Sequence, residues 1–311
     1  MITIKTHVSR TRTRTLTALA LVLTGALATA SAVQAATPEA EAARADIERT
    51  IGFVPSFVKA IPDNALPGVW SQFKHLQFNG KSALPGKTKE LIGLAIAAQM
   101  PSKLQIWSYT ECAKASGASK AEIEEAVTMA AMSRHWSTFM NGIQLDETRF
   151  RAELAKLKEH VSKAAAAGTP PPAPLVVTDA QSALKDVQQS FGFVPEFLKK
   201  LPPETLPGAW LGFRNVEMNP NSALPGKTKS LISLAVASQV PCRYCIVADT
   251  EFAKLEGASD REITEAVAVA AIARQWIAFV EGLQIDEKAY RRDMERLANR
   301  GKLAARAAKA P

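Results

Sequence analysis

The pattern of apolar and polar positions predicts helices, and it is clearest in the segment 228–240, TKSLISLAVASQV. Its apolar side chains fall at consecutive and near-consecutive positions, namely Leu231, Ile232, Leu234, Ala235 and Val236. So broad an apolar surface favours a buried helix over a half-exposed strand, in which apolar and polar residues would alternate. Pro241 follows and would end this helix, because proline lacks the N–H that continues the hydrogen-bond ladder.

Two further helices are predicted downstream from their start and stop signals. One begins at the cysteines that follow Pro241 and ends at Gly257, a residue that readily adopts the left-handed conformation of a helix end. The next begins at Ser259, which stands three residues before Glu262 in the spacing of a capping box, and continues to Phe279. Because no segment alternates as a strand would, we expect an all-α fold.

The chain contains two copies of one sequence unit, separated by a constant offset of 140 residues. The octapeptide SALPGKTK occurs identically at 82–89 and 222–229. The similarity extends over 45–150 and 185–290 without an insertion or a deletion. A repeat of this length indicates a duplicated domain whose copies pack as a pseudo-symmetric pair.

A segment rich in small residues and proline separates the two copies. Residues 164–180 read AAAAGTPPPAPLVVTDA, a composition that cannot build a core and that is typical of a semi-rigid linker. We therefore expect two tandem helical domains, the first at 36–163 and the second at 181–311.

Residues 1–35 have the features of a secretory signal peptide. Four basic residues and no acid precede an apolar run, and small residues stand at Val33 and Ala35, where a signal peptidase would recognise the chain. An uncleaved membrane anchor is the alternative, but the apolar run is short and is interrupted by polar residues. We expect a periplasmic or secreted protein that begins at Ala36, with no further segment long and apolar enough to cross a membrane.

The charge of the chain argues against a nucleic-acid partner. The formal net charge of +8 falls to +4 once the four basic residues of the leader are removed. That balance is mild and evenly mixed with acidic residues, unlike the basic patches of nucleic-acid-binding proteins.

Two of the three cysteines form a CxxC motif, Cys242-Arg243-Tyr244-Cys245, at the start of a predicted helix. The spacing places both sulfurs on one helix face, and the free N–H groups at the helix start, together with Arg243, favour a thiolate. A zinc site needs four ligands, and no histidine lies in the second copy, so we expect no metal. A redox-active dithiol is favoured, with an inert structural disulfide as the alternative in an oxidising compartment.

The residues over 227–272 resemble the carboxymuconolactone decarboxylase / alkylhydroperoxidase D (AhpD-like) family. The features that carry the resemblance are a KxxxLI run, then CxYCI-x-A-x-T, then a GAS…EI.EAV stretch. The resemblance implies an all-helical protein that reduces peroxides with a CxxC dithiol and takes electrons from a lipoyl or thioredoxin-like donor. It also implies a homo-oligomer, here a trimer of tandem domains that forms a pseudo-hexamer. No tightly bound cofactor is expected, only an external thiol reductant.

The resemblance assigns catalytic roles to Cys242 and Cys245, but the relay residues of the family differ here. In the family the second cysteine meets the peroxide, whereas general thioredoxin-type reasoning favours the first, so the order stays open. The family's relay glutamate corresponds to Ser230 and its histidine to Asp249. A carboxylate at 249 would disfavour a neighbouring thiolate, so weak peroxidase activity or simple thiol–disulfide exchange is expected.

Arg243, Tyr244 and Ser230 are expected to line the site around the dithiol, and Asp249 to act within it. This expectation rests on their place within or beside the motif.

The first copy has lost the dithiol. Ser102 and Gln105 stand in place of the cysteines, and Tyr109 takes the histidine position, whereas Glu90 retains the family's glutamate. This copy is therefore expected to be scaffold or subunit interface. Cys112 lies off the motif, and we expect it to pack in the core as a small apolar residue.

Three functions are compatible with these residues. The favoured function is an exported thiol-dependent oxidoreductase that reduces peroxides or exchanges disulfides. The second is a carboxymuconolactone decarboxylase-like enzyme, whose acid–base chemistry would need no cysteine. The third is a non-catalytic binding or assembly module, which the altered first copy and the changed relay would suit.

Overall fold

The computed structural model describes residues 36–100 and 102–307, with side chains up to residue 300. Within these ranges the chain forms thirteen α-helices and one 3-10 helix and contains no strand, which confirms the all-α class. The predicted signal peptide, 1–35, lies outside the described residues.

The two copies contribute the same succession of helices. The first supplies α1 (Pro38–Ile51), a 3-10 helix (Ser56–Ala60), α2 (Leu66–Gln77), α3 (Gly86–Ala98), α4 (Lys103–Ala115), α5 (Lys120–Gly142) and α6 (Glu147–Ala166). The second supplies α7 (Ala180–Phe191), α8 (Glu196–Lys199), α9 (Leu206–Val216), α10 (Gly226–Gln239), α11 (Arg243–Leu255), α12 (Asp260–Gly282) and α13 (Glu287–Ala307). The three helices predicted from the pattern correspond to α10, α11 and α12.

Local signals in the sequence determine the helix ends. Ser259 accepts a hydrogen bond from the Glu262 N–H while the Glu262 carboxylate accepts one from the Ser259 N–H, so the predicted capping box is present. Ser119 and Glu122 form the same box at the start of α5. Gly257 adopts a φ of +80°, the left-handed conformation expected after a helix end.

The two copies share one core. The buried helices α3 and α10 pack against each other and against both long helices, α5 and α12. Ile92, Met129, Ile232 and Val269, one from each of these four helices, belong to a single apolar cluster. From residue 38 onward the described residues accordingly form one compact unit, in which each copy completes the core of the other.

The position of α12 corrects one expectation about membranes. By length and composition alone, α12 could cross a membrane, although no segment beyond the leader was expected to do so. Its contacts with α3 and α10 explain the apolar composition, because a helix in the middle of a core is apolar on most of its faces.

The last helix of each copy crosses to the other copy. Helix α6 packs on α11, and α13 packs on α4. Between α6 and α7 the chain is exposed and irregular, and the Leu175 N–H donates to Asp186 Oδ1 at 2.7 Å. The boundaries 36–163 and 181–311 stay a prediction about sequence domains, and the linker between them is fastened to α7.

Buried ion pairs between the copies explain why the SALPGKTK octapeptide is identical in both. The Glu265 carboxylate accepts a hydrogen bond from the Ala83 N–H at 2.7 Å and lies 4.0 Å from the Lys89 ammonium. Lys229 lies 3.9 Å from Glu125 in the symmetric arrangement. Each lysine is almost fully buried, so its position and that of its partner carboxylate are both constrained.

Candidate active site around the dithiol

Cys242 and Cys245 are joined in a disulfide at the first turn of α11. Their Cα atoms are 5.3 Å apart, a separation that a disulfide spans. Cys242 caps the helix, and its sulfur accepts a hydrogen bond from the Cys245 N–H at 3.2 Å. The exposed fractions of the two residues are only 0% and 5%, so the disulfide is inaccessible from the outer surface.

A cavity of about 80 Å³ lies beside this disulfide. Its wall is mostly aromatic and aliphatic and is built by α5 and α6 of the first copy together with α7 to α11 of the second. Cys245 is on the wall and Cys242 is not. A molecule that enters the cavity would therefore meet the sulfur of Cys245, with the sulfur of Cys242 behind it.

Three carboxyl groups share the cavity with Cys245, those of Asp249, Glu217 and Glu153. Glu153 accepts a hydrogen bond from the Glu196 N–H at 3.0 Å and pairs with Arg149 at 3.4 Å. Burial raises the pKa of Glu217 to about 8, against the opposing charge of Lys229. Burial also raises the pKa of Asp249 well above its ordinary value, and the nearby Glu217 raises it further. Burial thus favours the neutral form of Asp249 and of Glu217, and at pH 7 Glu217 is mostly protonated with a minor ionised fraction.

This electrostatic environment corrects the expectation that a negative charge at Asp249 opposes the thiolate. The expectation assumed an ordinary, ionised carboxylate. In the buried site the raised pKa of Asp249 favours its neutral form, which weakens the repulsion of a thiolate and makes the carboxyl available as a proton donor to a group in the cavity.

Three residues that were expected to line the site are absent from the cavity wall. Arg243 extends into solvent, where it pairs with Glu147 at 3.2 Å. Tyr244 is buried in the core, and its hydroxyl donates to the Leu145 carbonyl at 2.5 Å. Ser230, on α10, does not reach the wall.

Helix geometry gives the reason for two of these corrections. The residues of α11 that face the cavity are spaced three or four positions apart or adjacent on one side of the helix, namely Cys245, Ala248, Asp249 and Phe252. Arg243 and Tyr244, directly before Cys245, fall on other faces of the helix.

Glu217 is the site residue that sequence reasoning missed. Its equivalent in the first copy is Gln77, whose side-chain amide donates to Glu90 at 3.0 Å. At the positions of Gln77 and Glu90 the second copy carries Glu217 and Ser230. Its carboxyl group therefore lies at the end of α9, whereas the carboxyl group of the first copy lies on α3. A position-by-position comparison of the two copies shows this paired exchange and would have identified Glu217 as a candidate site residue.

Cys112 is unpaired and only partly buried. It lies on the wall of a second cavity, in the first copy, and not in an apolar core cluster as expected. Among the described residues, no group of three or more His, Cys, Asp or Glu side chains is arranged to hold a metal ion.

The chain belongs to the carboxymuconolactone decarboxylase family. The family model matches residues 65–147 and 204–288, one match in each copy and together more than half of the chain. The family is enzymatic, with decarboxylase and AhpD-like members, and the two matches establish two tandem domains of this type.

Individual relatives are more distant. An uncharacterized protein in the cox locus of Paracoccus denitrificans is 41% identical over 59 residues, which are 19% of this chain and 53% of the relative. The chain thus spans about half the length of that curated relative. A Burkholderia xenovorans protein described as a gamma-carboxymuconolactone decarboxylase subunit has a crystal structure with a TM-score of 0.49 and 14% identity, covering 83% of this chain and 98% of the other.

Proposed function

We propose that the second copy is a thiol-dependent oxidoreductase that reduces a small hydroperoxide through Cys242 and Cys245. The observation that carries the proposal is the place of Cys245 on the wall of a small apolar cavity, beside the carboxyl groups of Asp249 and Glu217, whose pKa values burial raises. A cavity of about 80 Å³ accepts a few water-sized molecules, well below the roughly 300 Å³ at which ordinary ligand pockets begin. The volume therefore favours a small oxidant over a protein disulfide.

The reaction begins with the reduced dithiol. Glu217 in its ionised fraction takes the proton of the Cys245 thiol, and the thiolate attacks one peroxide oxygen. The S–O bond forms, the O–O bond breaks, and the departing alkoxide takes a proton from Asp249. Cys245 becomes a sulfenic acid and the peroxide is reduced to an alcohol or to water.

The second step restores the disulfide. The Cys242 thiolate attacks the sulfur of the Cys245 sulfenic acid, the S–S bond forms, and the S–O bond breaks. The Cys242 thiol gives its proton to the Asp249 carboxylate left by the first step, and the departing hydroxide takes the proton that Glu217 holds and leaves as water. The Cys245 N–H that contacts Cys242 Sγ would stabilise this thiolate at the helix start.

An external dithiol must then reduce the disulfide, and no tightly bound cofactor is required. Because both sulfurs are buried and the cavity is only about 80 Å³, the thiol tip of a lipoyl arm suits the site better than the face of a thioredoxin-like protein. We further propose that the protein acts in the periplasm or outside the cell and that it assembles as a trimer of tandem domains. These two proposals rest on the leader-like sequence of 1–35 and on the family resemblance.

The order of the cysteines can be tested with single serine variants. Reduced Cys242→Ser should give a sulfenic acid at Cys245 that dimedone traps and mass spectrometry locates. Reduced Cys245→Ser should give no adduct at Cys242 at the same peroxide concentration, and Cys112→Ser is the matched control that should behave as wild type. An adduct at Cys242 equal to that at Cys245 would refute the assigned order.

The carboxyl pair favours one other candidate, a carboxymuconolactone decarboxylase-like reaction in the same cavity. Asp249 and Glu217 could move protons on a lactone substrate without sulfur chemistry. In that case the double variant Cys242→Ser with Cys245→Ser would still turn over a carboxylated lactone, whereas Glu217→Gln would not. If the protein turns over neither a hydroperoxide nor a carboxylated lactone, the remaining function is the non-catalytic binding or assembly module.

A further inference from the structure

A second and larger cavity, which the redox proposal does not use, is lined mainly by the first copy and is completed by α12 and α13 of the second; we call it the first-copy cavity. Its volume is about 280 Å³, against about 80 Å³ beside the dithiol. Ser102 and Gln105 replace the cysteines here, and Gln105 is on the wall. The volume approaches the lower end of ordinary small-molecule pockets, at roughly 300 Å³.

The wall of this cavity is aromatic and carries no basic side chain. Its aromatic members include Phe57, Trp70, Phe73, Tyr109, Trp276 and Tyr290. Phe57 and Phe73 both meet the Trp276 ring edge-on, at centroid distances of 5.9 and 5.3 Å, so three of these rings form one connected surface. The faces of such rings attract cations.

Glu90 is the only carboxyl group on this wall, and no ion pair reaches it from the described part of the chain. The Gln77 amide donates to it at 3.0 Å. The neighbouring Lys89 directs its ammonium elsewhere, to the Leu76 carbonyl at 2.6 Å and the Ser82 hydroxyl at 2.9 Å. A buried carboxylate without a cation beside it is costly, so a cationic ligand would complement it.

Tyr109 of this wall and Gly93, against which it packs, differ together from their equivalents in the second copy. A Cβ atom on Gly93 would lie 2.2 Å from the Tyr109 ring, so glycine is required where Tyr109 packs. The second copy has Ser233 and Asp249 at these positions, and there the smaller aspartate leaves room for a side chain on the facing helix. Loss of the dithiol therefore accompanies a coordinated change of the wall.

We propose that the first-copy cavity binds a small organic cation, an alkylammonium or quaternary ammonium compound, with Glu90 as its counter-ion and the aromatic rings around its alkyl groups.

Ionisation of Glu90 should control the binding of such a cation. Burial raises the pKa of Glu90 to about 7, and the charge of Lys89 lowers it in part. The other titratable groups on this wall are Tyr109 and Cys112 on α4 and Tyr290 on α13, and burial raises the pKa of all three, so they stay neutral through this range. A ligand with a permanent charge should therefore bind more tightly as pH rises through about 7.

Choline and its uncharged isostere 3,3-dimethylbutan-1-ol give a matched pair of probes. Cys112 lies on the wall and is the only unpaired cysteine of the oxidised protein, so its conversion to a mixed disulfide by a thiol reagent reports occupancy directly. Choline should protect Cys112 from a small neutral methanethiosulfonate reagent at concentrations about tenfold below those needed for the isostere. Calorimetry should give the same ratio, and the ratio should increase from pH 6 to pH 8.

Two variants locate the site. Glu90→Gln should remove the preference for choline, and Cys112→Phe, which copies Phe252 of the second copy, should fill the cavity and abolish binding as measured by calorimetry. Equal affinity of choline and its isostere in wild type would overturn the proposal, and so would failure of choline to bind. The pH series in wild type decides the matter if either variant fails to fold, and all these readouts are independent of the dithiol reaction.

Discussion

Replacing Glu217 with glutamine should remove its share of the pH dependence of folding stability above pH 4.5, to which the buried Glu90 and Asp249 also contribute. Burial raises the pKa of Glu217 from 4.5 to about 8, so at neutral pH the folded protein holds a proton that the unfolded chain has released. The resulting stabilisation of the folded state is complete below the unfolded pKa and is lost as pH rises through the folded pKa. Glutamine keeps the shape of the neutral acid and does not titrate.

The size of this loss of stability follows from the difference between the folded and unfolded pKa values of Glu217. Each pH unit between the two pKa values costs about 1.4 kcal/mol, so Glu217 should account for a loss of roughly 3 kcal/mol between pH 4.5 and pH 7. The substitution also removes the charge that raises the pKa of Asp249, which acts in the same direction. The free energy of unfolding of Glu217→Gln, relative to wild type, should therefore increase steadily with pH.

Urea denaturation followed by circular dichroism at pH 5, 6, 7 and 8 measures this difference, with all proteins in the disulfide form. Glu204→Gln, at an exposed position, is the matched control and should parallel wild type. Parallel stability curves for Glu217→Gln and wild type would refute the placement of a protonated Glu217 in the cavity.

Three other predictions concern the leader, the linker and the ion pairs between the copies. Protein exported by cells should have the mass of a chain that begins at Ala36, and a mass that retains 1–35 would contradict the leader. Proteases should cut first within 167–179, where the backbone is exposed. The two halves should nevertheless co-elute in gel filtration, because α6 and α13 each pack on the other copy. Separation of the halves without denaturant would argue against the shared core. Glu265→Ala should lower the free energy of unfolding by about 3 kcal/mol in urea melts because it leaves Lys89 buried without its carboxylate, and a loss below about 1 kcal/mol would show that the pair is unimportant.

The helices could be predicted because their signals are local. The apolar run before Pro241, the capping box of Ser259 and the left-handed Gly257 each act within a few residues of the helix end that they determine. The crossing of α6 and α13 could not be predicted in this way, since no local pattern specifies which copy a terminal helix packs against.

The candidate site was predictable in part. Cys242 and Cys245 were identified from their spacing, and the disulfide is present. Counting turns along the helix from Cys245 would have excluded Arg243 and Tyr244 from the cavity face, because only positions three or four residues apart share a face. The raised pKa of Asp249 depends on burial by seven helices from both copies, which the motif itself does not contain.

The most direct test of the central claim is a titration of the fully reduced protein with hydrogen peroxide in the Cys112→Ser background, with thiols and peptides counted by mass spectrometry. We expect one equivalent of peroxide to consume both remaining thiols and to leave Cys242 linked to Cys245. Peroxide that survives alongside two intact thiols, or a Cys245 oxidised beyond the sulfenic acid while Cys242 stays reduced, would contradict the assignment of a redox dithiol to this site.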